Sequence, residues 1–325
     1  MQKCTLPVWQ PGEYAYPAAF GFVPNLHLYL HSGAARPLIL IAPGGGYRMT
    51  SPSEAENVAL KFYALGYQAA VLTYTTDLLS LSVLGDRPLR DIARAVRLLR
   101  SRAEIFRLLP DKLILCGFSA GAHLCASLCV HFADAKEPRA DLQRLSCRPD
   151  AALLCYPVIT SGEYAHRDSF NALLGTAPSP EQQHYWSLET QVTAQTPPCF
   201  LWQTMTDELV PVENSILFAR ALRAKGVCTA LHLFACGRHG LSLGTEAWAR
   251  GEYGDSYVLE QTLGVVRHVR SGRIPVPPEV LPMLDFYDKP EVSCAALAQN
   301  RAQPEITLWP EMADQWLHEA VFAGL

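Results

Sequence analysis

Six apolar runs set the frame for this chain. They cover residues 38–42, 68–74, 112–117, 151–156, 199–203 and 229–235. Most are continuous rather than alternating, the pattern of strands covered on both faces of a parallel sheet. Helical segments fall between most of them. Strand–helix alternation of this kind implies an α/β fold, a mainly parallel central sheet with helices on both faces. With 49% of its 325 residues hydrophobic, the chain has the material to fill both layers. In such sheets ligands bind beyond the carboxyl ends of the strands, so the loops that directly follow strands are where chemistry is expected.

The helices have readable signals. Ser51-Pro52-Ser53-Glu54 reads as a helix start, with an N-cap, a proline at the first helical position and a capping-box acid. Val58, Phe62 and Leu65 continue on one face, and Gly66 is a C-terminal stop. From about Pro88, Ile92, Val96 and Leu99 form an apolar stripe, with Arg90, Arg94 and Arg97 facing away. Further helices are expected over 120–132, 213–225 and 309–322. Two long connections, 160–196 and 251–306, break the rhythm. The second reads as an insertion in a single domain spanning 1–325. No internal repeat interrupts this scheme.

Composition narrows the function classes. The formal net charge is −4 with no long basic run, which argues against a nucleic-acid partner. No stretch is long and apolar enough to span a bilayer, and no apolar segment follows Lys3 as in a signal peptide. The expectation is a cytoplasmic protein with no membrane partner. Cys116, Cys155 and Cys199 lie in or beside strand-like runs, and Cys125 and Cys129 are four apart on an expected helix. They read as reduced, buried core residues. Without a CxxC or HExxH pattern, neither a metal nor another cofactor is expected.

The chemistry is carried by four strand-end loops. Gly117-Phe118-Ser119-Ala120-Gly121 matches G-x-S-x-G, follows an apolar run and precedes an alanine- and leucine-rich helix. That context is a nucleophile elbow, which presents Ser119 at the tip of the sheet. A serine hydroxyl needs a base beside it. Among the histidines, His239 in Gly237-Arg238-His239-Gly240 follows the last apolar run of the sheet. His123, one turn past Ser119, is expected to pack or hydrogen-bond on its own helix, and His166 is a surface or core histidine by default. Asp207, after the run ending at 203, can hold the other ring nitrogen of His239 and stabilise the imidazolium. Its neighbour Glu208 is the competitor, expected to point elsewhere. The order Ser, Asp, His is that of α/β-hydrolases. Pro43-Gly44-Gly45-Gly46-Tyr47 follows the first strong strand. Its glycines allow backbone N–H groups to approach a developing oxyanion, and Gly45, Gly46 and Ala120 are the expected donors. A phosphate-binding reading of this loop lacks the Gly-Lys-Ser/Thr or G-x-G-x-x-G that would support it.

As a set these stretches resemble bacterial acetyl esterases of the acetylxylan-esterase-like branch of α/β-hydrolases. The resemblance rests also on Tyr156-Pro157-Val158-Ile159, Thr196-Pro197-Pro198 and Pro211-Val212-Glu213-Asn214-Ser215. It implies a metal-free serine esterase that removes acetyl or other short acyl groups, often from acetylated sugars or xylo-oligosaccharides. Ser119, Asp207 and His239 would be the triad, with Gly45, Gly46 and Ala120 as the oxyanion hole. This sequence departs from the pattern at Gln203, where histidine is common, at Thr206, where a second aspartate is common, and in its 251–306 segment. Alternatives are a peptidase or amidase on the same fold, and a non-catalytic ligand-binding homologue. The expected partner is a small-molecule ester, and assembly into a homo-oligomer is left open.

Overall fold

The computed structural model describes residues 1–289 and 300–323. Its sheet has eight strands, β1 (Gln2–Pro7), β2 (Asn25–Leu30), β3 (Arg36–Ala42), β4 (Gln68–Thr73), β5 (Leu108–Phe118), β6 (Ala151–Cys155), β7 (Cys199–Thr204) and β8 (Thr229–Phe234), in the order β1-β2-β4-β3-β5-β6-β7-β8. Strands β3 to β8 pair in parallel and correspond to the six apolar runs. The two N-terminal strands were not expected. They add an antiparallel edge, with β1 on β2 and β2 on β4. β1 is mostly exposed and ends at Pro7, as suits an edge strand.

Every residue of β4 and of β6 is buried, and alternate side chains serve opposite layers. Ala70 and Leu72 of β4 join the layer made by α2 (Arg87–Ser101), α3 (Ala120–His131) and α5 (Glu213–Ala224). Ala69 and Val71 join the layer made by α1 (Glu56–Ala64) and α8 (Trp309–Trp316). Between them in sequence lie α4 (Arg167–Leu174), in the 160–196 connection, and α6 (Glu260–Arg270) and α7 (Leu281–Asp288), in the 251–306 connection.

Three helix expectations need correction. Residues 52–54 form a short 3-10 turn, the α-helix begins at Glu56, and the Ser51 side chain makes no capping bond. The Glu54 side chain turns into the core instead of back to the helix start. Arg94 and Arg97 do not face solvent. Arg94 is 1% exposed and pairs with Glu137 and Glu13 at 2.6 Å, while Arg97 donates to the carbonyls of Leu145 and Ala135. The N-terminal segment and the stretch after α3 cover that side of α2, which the local pattern could not reveal. The last helix changes to π form over Leu317–Phe322.

The 251–306 segment rests on the carboxyl end of the sheet. Thr50, in the loop after β3, donates to the carbonyl of Val258, and Gln261 bonds Thr76 in the loop after β4. Val265, Val266 and Val269 of α6 form a small apolar cluster with Leu78, Ile274 and Leu284. Residues 290–299 of this segment lie outside the described residues. Among the described residues the cysteines are free, with Cys116, Cys125, Cys129, Cys155 and Cys199 buried. None of the described helices is long and apolar enough to cross a membrane.

Candidate active site

Ser119 is the single residue between the end of β5 and the start of α3. Its φ of 52° and ψ of −118° are unfavourable for a residue with a Cβ. The surroundings hold it there. Its N–H donates to the Cys155 carbonyl at 3.0 Å, and its own carbonyl accepts from His123 and Val158 at 3.1 and 3.2 Å. The turn is tight enough that a Cβ on Gly121 would collide with the carbonyl oxygens of Ala42 and Pro43. Strand and helix close up around the serine only because that position is glycine.

The histidine and aspartate loops converge on it. His239 Nε2 lies 2.8 Å from Ser119 Oγ, and its Nδ1 lies 2.8 Å from Asp207 Oδ2. The Asp207 side chain is 1% exposed. Its Oδ1 accepts the N–H groups of Val210 and Leu209 at 2.9 and 3.0 Å. Burial alone would raise this carboxyl; the His239 hydrogen bond and charge, with those two N–H groups, outweigh it and hold the carboxyl below its ordinary range. Glu208 takes a different role, accepting the backbone N–H of His239 at 3.2 Å. His123 is buried and hydrogen-bonds away from its own helix, with Nδ1 2.8 Å from the Tyr47 hydroxyl and Nε2 3.1 Å from the Trp186 carbonyl. Burial pushes it down to about 4, so it is neutral at physiological pH.

The glycine loop lies against the elbow, since a Cβ on Gly44 would sit 3.0 Å from the Ser119 Cβ. The Gly44 N–H is already used, donating to Glu54 Oε2 at 2.7 Å. Among the described residues, Gly45 and Gly46 give their N–H groups to no acceptor. Their φ values of 121° and 65° aim the loop back on itself, so that Arg48 N–H donates to the Gly45 carbonyl. Ala120 opens α3, where first-turn N–H groups have no intrahelical acceptor. A hydroxyl beside an imidazole, with unspent N–H groups nearby, can attack a carbonyl and stabilise the oxyanion that results.

Sequence reasoning missed several residues here. Gln203, noted only as a departure, is buried and ties the aspartate loop together. Its Nε2 donates to the Val210 carbonyl at 2.7 Å and to Asp207 Oδ2 at 3.3 Å, and its Oε1 accepts from Ser215 at 2.6 Å. His166 also belongs to the neighbourhood. Its Nδ1 is 2.8 Å from Ser169 Oγ, which itself lies 3.9 Å from where a Gly46 Cβ would be. Burial, then repulsion from His239, pushes the His166 imidazole down. Tyr156 sets its ring edge-on to His239 with centroids 5.0 Å apart. Among the described residues no cluster of three or more metal-type ligands occurs.

The sequence matches the BD-FAE family over residues 26–222, more than half of the chain. It is 48% identical over 257 residues to an endo-1,4-beta-xylanase B of Butyrivibrio fibrisolvens, a match covering 79% of this chain and 40% of that protein. It is 29% identical over 219 residues to an acetylxylan esterase of Xylanibacter ruminicola, covering 64% and 41% respectively. The chain therefore spans about two fifths of the length of these two relatives. Among solved structures, an acetyl ester-xyloside bifunctional hydrolase of Caldicellulosiruptor lactoaceticus matches with a TM-score of 0.70 at 37% identity, covering 84% of this chain and 97% of that one. On the family match, the shared sequence and the eight-stranded, mostly parallel sheet, this chain belongs to the BD-FAE family and has the α/β-hydrolase fold.

Proposed function

We propose that the chain is a serine carboxylic ester hydrolase that removes acetyl and other short acyl groups from acetylated sugars or xylo-oligosaccharides. The observation that carries this reading is His239 held between Ser119 Oγ and Asp207 at 2.8 Å on each side, with each residue on a separate strand-end loop. Ser119 Oγ attacks the ester carbonyl as His239 Nε2 takes its proton. The N–H groups of Gly45, Gly46 and Ala120 receive the oxyanion. His239 returns the proton to the leaving alcohol, giving an acyl-enzyme. Water, deprotonated by His239, then releases the acid. Asp207 keeps the imidazole in the right tautomer and stabilises its cation throughout. Likeness to the Xylanibacter acetylxylan esterase and the Caldicellulosiruptor acetyl ester-xyloside hydrolase supports an acetylated sugar as substrate.

The bifunctional relative raises a second reading, cleavage of xylosides. A glycosidase needs two carboxyl groups open to the scissile bond. Of the three carboxylates described in the site, Glu54 is 4% exposed and the Asp207 side chain 1%, which leaves only Glu208 open where a pair is required. Ester hydrolysis therefore takes precedence.

The test is Ser119→Ala assayed on p-nitrophenyl acetate, acetylated xylo-oligosaccharides, a peptide anilide and an aryl xyloside. Turnover of both esters should fall to about a thousandth or less, with the fold retained. Undiminished ester turnover in the variant would sink the assignment. Faster cleavage of the anilide than of the esters by the wild type would favour the peptidase alternative. No labelling of Ser119 by a fluorophosphonate would favour a ligand-binding protein.

A further inference from the structure

Glu54 holds a buried carboxylate that no lysine or arginine pairs among the described residues. A charge buried in this way is costly, and functional sites are where such groups collect. Its two oxygens point to two different loops of the site. Oε2 accepts the Gly44 N–H at 2.7 Å, and Oε1 accepts the Tyr156 hydroxyl at 2.7 Å. The same Tyr156 oxygen accepts the N–H of Ser242, three residues past His239, at 3.0 Å. Ser242 in turn donates its hydroxyl to the Ser53 carbonyl at 2.5 Å. Gly44 is pressed into this arrangement. A Cβ there would lie 2.7 Å from the Phe118 carbonyl oxygen and 2.9 Å from Glu54 Oε2. One side chain thus links the glycine loop to the histidine loop, with the elbow between them.

We propose that Glu54 is a positioning residue for the hydrolysis. Through Gly44 it fixes the glycine loop, through Tyr156 and Ser242 it fixes the turn that carries His239, and its charge favours the imidazolium that forms at His239 in each half-reaction. This rests on the reading of Ser119, His239 and Asp207 given above. The titratable groups that face Glu54 electrostatically are Tyr74, Cys155, Tyr156, Tyr253 and His239. Of these residue types only histidine can take up a positive charge near neutral pH. A carboxylate without a resident cation has its partner in a base that becomes cationic only during turnover.

Glu54→Gln tests this directly. The amide oxygen can still accept from Gly44, but the anion is gone and an N–H group now faces the Tyr156 hydroxyl. With active sites counted by fluorophosphonate titration, kcat on p-nitrophenyl acetate should fall about 10- to 100-fold while KM stays within about twofold. The acid limb of the kcat/KM profile should move to lower pH by about half a pH unit, because the base loses a stabilising anion. Tyr156→Phe keeps the Gly44 contact and the Glu54 carboxyl group but cuts the link to Ser242. It should lose about 3- to 10-fold in kcat, with the acid limb moved less than in Glu54→Gln. A lowered Tm for Glu54→Gln with unchanged kcat and an unmoved acid limb would overturn the inference. If that variant does not fold, Tyr156→Phe decides, and wild-type kcat there overturns the link. Ser119→Ala run in parallel separates the cases. If it is inactive, failure of the Glu54 variants leaves the proposed function standing. If it is active, both fall.

Discussion

The loop after β7 and the segment after β3 each bury a carboxylate within electrostatic reach of His239, and they do so differently. Asp207 is surrounded by donors, with His239, the Val210 and Leu209 N–H groups and the Gln203 amide all directed at it. Its carboxyl sits below the ordinary range despite burial. Glu54 has two donors, Gly44 N–H and the Tyr156 hydroxyl, and burial keeps its carboxyl above the ordinary range. The difference teaches that donors aimed at a buried carboxylate, rather than burial itself, decide whether it is a settled anion. Asp207 is settled at all times. Glu54 is only partly compensated, and a charge on His239 would add to its compensation. A third buried acid, Glu137, shows the alternative solution, a resident cation in Arg94.

The sharpest way to break this comparison is Asp207→Asn. The amide keeps the shape but cannot hold the His239 Nδ1–H as a carboxylate does, so the tautomer that can receive the Ser119 proton is no longer favoured. A fall in kcat of about 10³- to 10⁴-fold on p-nitrophenyl acetate is expected, larger than for any Glu54 variant. Steady-state kinetics on both variants give the ranking. If Glu54→Gln proves the more damaging, the distinction between a settled anion and a partly compensated one fails.

Arg94→Met tests the third acid. Removing the cation leaves Glu137 buried and unpaired, which should cost about 3–5 kcal/mol of stability. Turnover per folded molecule should stay at the wild-type value, because none of the described contacts of Arg94 reaches the strand-end loops of the site. Chemical denaturation gives the first quantity, and titrated active-site kinetics the second. Replacing both Arg94 and Glu137 by methionine should recover much of the loss, since no buried charge would then lack its partner. A drop in kcat in the single variant would show that the helix layer under β5 is coupled to the elbow.

The same contrast explains what the sequence made legible. β3 to β8 are continuous apolar runs, and Ser119, Asp207 and His239 each lie in a loop directly after one of them, so local context was enough to pick three residues that do meet. β2 is no continuous apolar run, because Leu26, Leu28 and Leu30 alternate with Asn25, His27 and Tyr29, and β1 is too exposed to show a pattern. Glu54 was misread for a physical reason. Ser51-Pro52-Ser53-Glu54 carries a local helix-start signal, but the side chain is claimed by Gly44 and by Tyr156, 102 residues away. Arg94 was misread in the same way, since Glu137 is 43 positions distant. Partners that far apart leave no trace in a window of a few residues.

The smallest expected effect is in the pH dependence of stability, where the two site carboxylates should act with opposite sign. Folded Asp207 holds its proton more weakly than the unfolded chain does. Its stabilisation is present above the ordinary carboxylate range and is lost as pH falls through the lowered value. Folded Glu54 holds its proton more tightly. Its contribution is full below the ordinary value near 4.3 and is lost as pH rises through the raised one. Relative to wild type, Asp207→Asn should therefore lose less Tm on acidification below about pH 4. Glu54→Gln should lose less Tm as pH rises from about 4 toward neutrality. Each difference should be about 2 °C, small for a protein of this size but opposite in direction. Parallel thermal melts of the three proteins between about pH 3 and pH 7 resolve it. Two difference curves of the same sign would mean that Glu54 is as well compensated as Asp207, and that its charge is not left waiting for His239.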